Sequence, residues 1–384
     1  MLKKWSFDEW LILLVSASIF LPYYICATSV TLVVIYLIAK KRMPEIIRQI
    51  PKSKYVIFFS ILSAAISLCY QNMIGFFCSL GILILFLYLF FFRTTITKPL
   101  FDLILQLFLI LSICNVIYAW FEYVQICTRL GLNPLDFIVK NRPENRVHTV
   151  FFNANYYAMV IEFCVLICVY KMIHLKNKVQ FIYYMAVILV NWFALYLTGC
   201  RTAWIPFIMS VPFMFALSQS YIYLGLSLTG AGLAGGILFF VPALFQRITL
   251  AKDFGKRARI WKAALEGIKA HPMFGNGPLT YFQIYKLYDG HPTQHAHNLG
   301  LDLILSHGII GTVLLGIYIF SNIKEAYLLY KNKMDVRLAC LIAGLLITVL
   351  IHGMLDYTIF WIQTSLIFFT ILSSTSMYYR KKST

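Results

Sequence analysis

Charged residues are scarce in this chain of 384 residues, at 12% of the total, which is about half of their usual share in a soluble domain. Acidic residues are the scarcer sign, with 15 Asp and Glu against 33 Lys and Arg, and no Asp-x-Asp pair occurs. The low charge argues against a soluble fold. The carboxylates are too few to converge on a catalytic divalent metal ion, so we expect no metal and no other cofactor.

Cysteine supplies no recognisable metal or redox motif. Its nine residues include no Cys-x-x-Cys pair and no other metal-ligand spacing. Most of them lie inside apolar runs, and we interpret them as packing residues.

Long apolar runs are what the chain has in abundance. Hydrophobic residues make up 60% and aromatic residues 17% of it, and the mean hydropathy is +0.77. Windows of about eighteen or more mostly apolar residues recur from end to end, and each is long enough to cross a bilayer. The runs are continuous rather than alternating, which argues against a β-barrel. The chain is therefore predicted to be an all-α polytopic membrane protein, with one membrane domain over 1–384.

The apolar runs predict about twelve transmembrane helices. Pro22 separates the first two, which could instead form one kinked helix. The first run follows Lys3 and Lys4 but lacks a convincing cleavage site, so it is interpreted as a retained span rather than a signal peptide. The predicted spans are 10–22, 24–39, 55–71, 73–92, 99–125, 149–170, 180–198, 202–218, 221–245, 298–321, 337–354 and 358–378.

The basic residues behind the net charge of +18 are concentrated in the connectors between the apolar runs, which argues against a nucleic-acid partner. Lys and Arg cluster in connectors that the positive-inside rule assigns to the cytoplasm, together with both termini. These clusters lie at 40–54, 171–178, 324–337 and 380–382. The segments predicted to lie outside are the connectors near Gln71, Thr198 and Asp356 and the loops 126–148 and 246–297.

The large external loop 246–297, between the ninth and tenth predicted helices, carries eight basic and three acidic residues. Basic residues outside oppose the insertion preference. They could contact lipid phosphates, or they could bind a polyanionic substrate such as a lipid-linked pyrophosphate. Within the loop, apolar residues at helical spacing beside basic ones predict an amphipathic helix near 256–270.

Arg201 lies in the short connector between the predicted spans 180–198 and 202–218, on the predicted outer side of the membrane. An arginine near the bilayer core is costly and usually pairs or serves function, although it could simply snorkel beside Trp204. Arg257 and Arg259 fall in the same outer compartment, which favours an anion site. Arg259 is the weakest of these three candidates.

Three of the eight histidines fall within seven residues, His291, His295 and His297. An imidazole can accept a proton near neutral pH. His291 and His295 are interpreted as interfacial residues. His297 immediately precedes an apolar helix that is predicted to start near Asn298, and it is our candidate general base.

Four segments in one order over about residues 150–312 form a recognisable pattern. They are Asn153-Ala-Asn-Tyr-Tyr-Ala158, Thr198-Gly-Cys-Arg-Thr-Ala-Trp204, Arg257-Ala-Arg-Ile-Trp261 with His271-Pro-Met-Phe-Gly-Asn-Gly277, and Ala296-His-Asn-Leu299 with Gly308-Ile-Ile-Gly311. The pattern resembles the O-antigen ligase and O-antigen polymerase superfamily of bacterial membrane glycosyltransferases. Ala154 stands where that family usually has proline, and Cys200 where it has serine.

The resemblance implies a GT-C-like membrane fold and an inverting, metal-independent glycan transfer. The donor would be an undecaprenyl-pyrophosphate-linked glycan and the acceptor a glycan or glycolipid hydroxyl, outside the bacterial cytoplasmic membrane. It implies arginines on the pyrophosphate, here Arg201, Arg257 and more weakly Arg259, and one essential histidine, His297. The residues that could orient sugar or phosphate are Asn153, Asn155, His295 and Asn298. The first two could equally cap a helix.

Other functions remain open from the sequence. A transporter or flippase for a charged lipid would carry similar basic residues, although no internal repeat typical of transporters is evident. A scaffold of a secretion complex would leave the arginine and histidine pattern unexplained. The acceptor separates a ligase (lipid core), a polymerase (growing surface polysaccharide) and a protein O-oligosaccharyltransferase.

Overall fold

The computed structural model describes residues 5–139, 142–240 and 250–379, and only the backbone of 234–240 and 250–254. Within these residues every regular element is helical, which confirms the predicted all-α class. The end of the predicted span 221–245 and the start of the loop 246–297, with Arg247, lie outside the described residues.

The described helices follow the apolar runs closely. They are α1 (Phe7–Ser18), α2 (Tyr23–Ala39), α3 (Met43–Gln49), α4 (Ser53–Cys69), α5 (Met73–Thr95), α6 (Lys98–Leu130), α7 (Ala154–Met172), α8 (Lys178–Thr198), α9 (Ile205–Leu217), α10 (Tyr221–Phe240), α11 (Leu250–Ala270), α12 (Thr280–Ile284), α13 (Leu299–Lys331), α14 (Val336–Gly353), α15 (Ile362–Ser373) and α16 (Ser376–Tyr379). The chain breaks between α1 and α2 at Pro22, and α11 contains the segment 256–270.

Six of these helices, α5, α6, α7, α8, α13 and α14, are long and apolar enough to cross a membrane, and the bent pair α2 and α3 would make a seventh span. A helix lies at each of the twelve predicted spans. However, α1 and α15 have 12 residues each, a rise of about 18 Å, well short of a hydrocarbon core about 30 Å thick. The chain is a multi-pass membrane protein, and the number of twelve spans stays a prediction.

Helix α7 lies at the centre of the bundle, with almost every side chain buried. It packs against α8 along one side and against α14 and α15 along others, while α14 also packs against α9 and α13. The ends of α7, α13 and α14 therefore come together, and the candidate site lies at their meeting point.

Helix α13 is broken at Gly308, whose φ of 63° lies in the left-handed region. The segment after α11 fits into the break, where the amides of Ile309 and Ile310 donate to the carbonyls of Pro272 (2.9 Å) and Met273 (3.1 Å). A Cβ at position 308 would lie 2.3 Å from the Met273 carbonyl. Glycine is thus required both for the backbone conformation and for the close approach. The contact fixes α11 against the first half of α13.

Candidate functional site

Three helix ends meet at the candidate site, and asparagines cap two of them. The Asn153 side chain accepts from the Asn155 amide (2.8 Å) at the start of α7. The Asn298 side chain accepts from the Leu301 amide (3.0 Å) at the start of α13 and donates to the Met354 carbonyl (3.0 Å) beyond α14. Asn153 and Asn298 thus act as N-caps, and Asn298 also ties α13 to the end of α14.

His297 and Asp356 form a hydrogen-bonded pair at this meeting point. The Nδ1 of His297 lies 2.9 Å from Oδ1 of Asp356. The Asp356 side chain is 3% exposed and that of His297 is 26% exposed. An ionised carboxylate can only accept, so Nδ1 carries the proton and the neutral ring keeps its lone pair on Nε2. That nitrogen lies 3.0 Å from the Thr293 hydroxyl, which donates to it.

Asp356 is held by several donors. Besides His297, it accepts from the Asn155 side chain and from the Tyr357 amide at 2.8 Å. Burial would raise the pKa of Asp356, but the hydrogen-bonded His297 and the nearby His295 and His352 hold it well below its usual range. Asp356 is therefore an anion that fixes the tautomer and orientation of His297.

Arg146 connects this pair to the turn that contains Arg201. Its Nε donates to the Thr198 carbonyl (2.8 Å), and its Nη2 donates to Oδ1 of Asn155 (2.6 Å). Gly199 has a φ of 63°, and a Cβ there would press on Val139. The segment Thr198–Trp204 thus lies beside the asparagine that binds Asp356.

His295 is buried behind His297, and its role is to hold the loop. Its Nδ1 accepts from the His297 amide (3.3 Å), and its Nε2 is 3.8 Å from Asp356, beyond hydrogen-bond distance. Burial is the main cause that lowers the pKa of His295 to about 4, against the attraction of Asp356. The next residue, Ala296, donates its amide to the buried Asp302. His295 is thus a buried, neutral part of the loop.

The three predicted arginines differ in their surroundings. Arg201 is half-buried directly after the turn that Arg146 holds, and Arg257 is half-buried on α11. Arg257 shares a face of α11 with Ile260, which packs in one apolar cluster with Ala296, the neighbour of His297. Arg259 is exposed and paired with Asp289 at 2.9 Å. Arg201 and Arg257 thus lie on segments that reach the site, whereas Arg259 is engaged elsewhere.

His291 lies on the same side as α11. Partial burial, and after it the charges of Lys256, Arg259 and His297, lower the pKa of His291. Positive charges on α11 therefore act on the histidine loop.

A metal ion could be held, within the described part of the chain, by His295, His297 and Asp356, whose ligand atoms lie within 4.8 Å of one another. The contact of 2.9 Å between Nδ1 of His297 and Oδ1 of Asp356 is a hydrogen-bond distance. Two ligands of a tetrahedral zinc ion are about 3.3 Å apart. In this geometry the two residues bind each other, and a metal would require them to separate.

Asp356, Arg146 and Thr293 were missed as site residues from the sequence. Asp356 had one usable signal, since a lone carboxylate between two apolar runs favours a functional role. Arg146 lies in the predicted external loop 126–148 without a motif of its own, and Thr293 had no signal. Asn155 was singled out from the sequence as a possible orienting residue, and the structure shows it bound to both Arg146 and Asp356.

Comparison with known families agrees with the motifs. A family model described as O-antigen ligase matches residues 186–316. No curated protein matches the chain. The matched region covers the Arg201 turn, α11, the histidine loop and the break in α13, but it ends before Asp356 and begins after Asn155. Over about a third of its length, at residues 186–316, the chain is therefore similar to the O-antigen ligase family, in agreement with its sequence motifs.

Proposed function

We propose that the protein is a glycosyltransferase that moves a glycan from an undecaprenyl-pyrophosphate carrier to an acceptor hydroxyl, without a metal and with inversion. The observation that carries the proposal is the His297–Asp356 pair. It presents an imidazole ring at the partly exposed side of a buried carboxylate. The family match over residues 186–316 supports a glycosyltransferase.

His297 is the general base. Its Nε2 removes the proton of the acceptor hydroxyl while the oxygen attacks the anomeric carbon of the donor sugar. The bond from that carbon to the pyrophosphate oxygen breaks, and its electron pair leaves with undecaprenyl pyrophosphate. A single displacement inverts the anomeric configuration. Asp356 stabilises the imidazolium that forms.

The leaving pyrophosphate is stabilised by fixed positive groups. Arg201 and Arg257 are the principal candidates, because the guanidinium fork matches phosphate oxygens. Arg259 would first have to leave Asp289, which makes it a weaker third. The N-termini of α7 and α13 point into the same region and add favourable backbone dipoles. Asn155 is assigned a positioning role on Asp356, with Asn153 and Asn298 holding the two helix starts.

The loop 246–297 and the site are assigned to the outer face of the bacterial cytoplasmic membrane. The charge distribution of the connectors supports this orientation. The donor lipid would enter from the bilayer and the acceptor from the external side.

The decisive experiment uses purified full-length protein with a lipid-linked glycan donor and a glycan or glycolipid acceptor. We expect release of undecaprenyl pyrophosphate with formation of a new glycoside. His297→Gln should bind the donor but release undecaprenyl pyrophosphate about 10²- to 10⁴-fold more slowly. A flippase would instead move intact donor across a proteoliposome, and donor movement without consumption would overturn the proposal.

The acceptor then decides the kind of transferase. Analysis of the glycans in a deletion strain separates loss of long surface polysaccharide chains from loss of their attachment to a lipid core. Loss of protein-linked glycan would instead identify a protein O-oligosaccharyltransferase.

A further inference from the structure

The base nitrogen of His297 already has a hydrogen-bond partner within the protein. The hydroxyl of Thr293 lies 3.0 Å from Nε2, while Asp356 holds Nδ1 on the other side of the ring at 2.9 Å. Because Asp356 fixes the proton on Nδ1, Nε2 of the neutral ring offers a single lone pair. The Thr293 hydroxyl donates to that lone pair, which is the one that a base must use.

An acceptor hydroxyl and Thr293 therefore compete for the same site. Deprotonation requires the reacting hydroxyl to lie within hydrogen-bond distance of the base. Nε2 cannot accept from Thr293 and from the acceptor at once with good geometry in both bonds. The same holds for a water molecule, whose activation would hydrolyse the donor.

We propose that Thr293 caps the base and thereby favours a glycan acceptor over water. The inference rests on the proposed function of His297. A glycan chain brings binding energy from sugar units remote from its reacting hydroxyl, and this energy can displace the cap. Water has no such contribution. Thr293 is thus a positioning residue that determines whether the donor is transferred or hydrolysed.

The surroundings of Thr293 suit a removable cap. It lies between α12 and α13 in a segment without helix, half-exposed, and its neighbours Pro292 and Gln294 are exposed. Rotation about one side-chain bond releases the hydroxyl. The ring of His297 does not need to move, because Asp356 holds it and the His297 amide is bound by His295. The cap can therefore open while the base stays in position.

The first test measures capping without any glycosyl transfer. Diethyl pyrocarbonate modifies a histidine nitrogen that has a free lone pair, and mass spectrometry of the peptide locates the modified residue. In full-length Thr293→Val, we expect His297 to be modified about 2- to 10-fold faster than in the wild type, from the net strength of one hydrogen bond. His291 in the same loop is the internal control and should be unchanged. Thr293→Ser keeps the hydroxyl and should match the wild type.

The second test measures the fate of the donor. Thr293→Val should raise the ratio of donor hydrolysis to transfer by a similar factor and lower the KM for the acceptor, and Thr293→Ser should restore both. Equal modification of His297 in the wild type and the valine variant would overturn the cap, even if His297 is the base. If His297 is modified faster in Thr293→Val but the ratio of donor hydrolysis to transfer is unchanged, Thr293 does not protect the donor from hydrolysis. A glycosylated Thr293 peptide would also overturn it, since Thr293 would then be a nucleophile.

The two tests separate this inference from the proposed function. Full transfer activity in His297→Gln would reject His297 as the base and, with it, the role of Thr293 in the fate of the donor. The modification rates would still report whether Thr293 covers the nitrogen.

Discussion

Two of the histidine–carboxylate pairs in the described residues are neighbours in the fold, and they differ in access. In the open pair, His297 is 26% exposed and its Nδ1 contacts Asp356 at 2.9 Å. In the sealed pair, Nδ1 of His352 contacts Glu162 at 2.8 Å, and both side chains are fully buried. The two pairs are adjacent, since the Asp356 amide donates to the His352 carbonyl at 3.0 Å.

In the proposed mechanism, a histidine–carboxylate pair needs access to substrate before its histidine can act as a base. Glu162 belongs to the central helix α7 and His352 to α14, so the sealed pair joins two helices inside the bundle. Such a pair satisfies two polar groups that apolar surroundings would otherwise penalise. The open pair has the same two chemical groups, but one ring nitrogen faces a hydroxyl at the rim. In our proposal, the open pair can take part in the reaction because substrate can reach it, whereas the sealed pair can only stabilise the fold.

The largest effect should come from removing the open pair. His297→Gln or Asp356→Asn should lower transfer by about 10²- to 10⁴-fold, because the base or its required tautomer is lost. Release of undecaprenyl pyrophosphate measures the rate, and size-exclusion chromatography checks the fold. The matched variant His352→Gln should cost only a few-fold in rate per folded molecule. Transfer near the wild-type rate by His297→Gln would contradict our assignment.

The arginines proposed to bind the pyrophosphate should come next. Arg201→Ala and Arg257→Ala should each lower transfer by about 10²- to 10³-fold through lost stabilisation of the leaving group. Lysine at either position should rescue only in part, because a point charge replaces a bidentate fork. Arg259→Ala, already paired with Asp289, serves as the control and should have a smaller effect. Unchanged activity in either alanine variant would remove that arginine from the mechanism.

The sealed pair should matter for stability instead. Glu162→Leu or His352→Leu leaves a buried partner unpaired and should cost about 3 kcal/mol. The double variant Glu162→Leu with His352→Leu should recover much of the loss, because no polar group is left unsatisfied. Thermal unfolding in detergent compares the three proteins. If the double variant is no more stable than either single variant, the pair stabilises the fold by more than its mutual hydrogen bond.

A smaller effect concerns pH and His295. Burial lowers the pKa of His295 to about 4, whereas the unfolded chain binds this proton at about pH 6.5. Stability from His295 is therefore complete above about pH 6.5 and is lost as the pH falls towards about 4. The loss amounts to about 3 kcal/mol, at about 1.4 kcal/mol for each pKa unit.

Replacing His295 isolates its contribution, because all other titrating groups are shared with the wild type. His295→Asn should show a smaller fall in Tm than the wild type between about pH 7 and about pH 4.5. Equal falls in the two proteins would mean that His295 is not neutral in the folded state.

No effect is expected from metal removal. Because Nδ1 of His297 and Oδ1 of Asp356 contact each other directly, EDTA should leave the transfer rate unchanged. Loss of activity in EDTA that a divalent ion restores would instead identify His295, His297 and Asp356 as metal ligands. His297 would then not act as a base paired with Asp356.

Much of the helical framework could be predicted from the sequence. Each continuous apolar run corresponds to a helix, and the predicted break at Pro22 separates α1 from α2. The number of spans could not be obtained in the same way, because a hydropathy window extends past the point where a helix ends. The predicted run 358–378 contains a helix of only 12 residues, Ile362–Ser373.

The candidate site was predictable only in part. His297 and Asn155 were found because each lies in a local motif at the start of an apolar helix. Asp356 was missed because it follows His297 by 59 residues and Asn155 by 201. No local motif contains these residues together.

The sequence by itself determined the class, the helices and the similarity to the O-antigen ligase family, because hydropathy, loop charge and motif order are properties of single segments. Only the tertiary structure decided which histidine pairs with which carboxylate, and which of the two pairs is open. Helix packing joins α7, α13 and α14 at one point, and a hydrogen bond forms only where two groups meet at about 3 Å. That condition depends on two distant residues together.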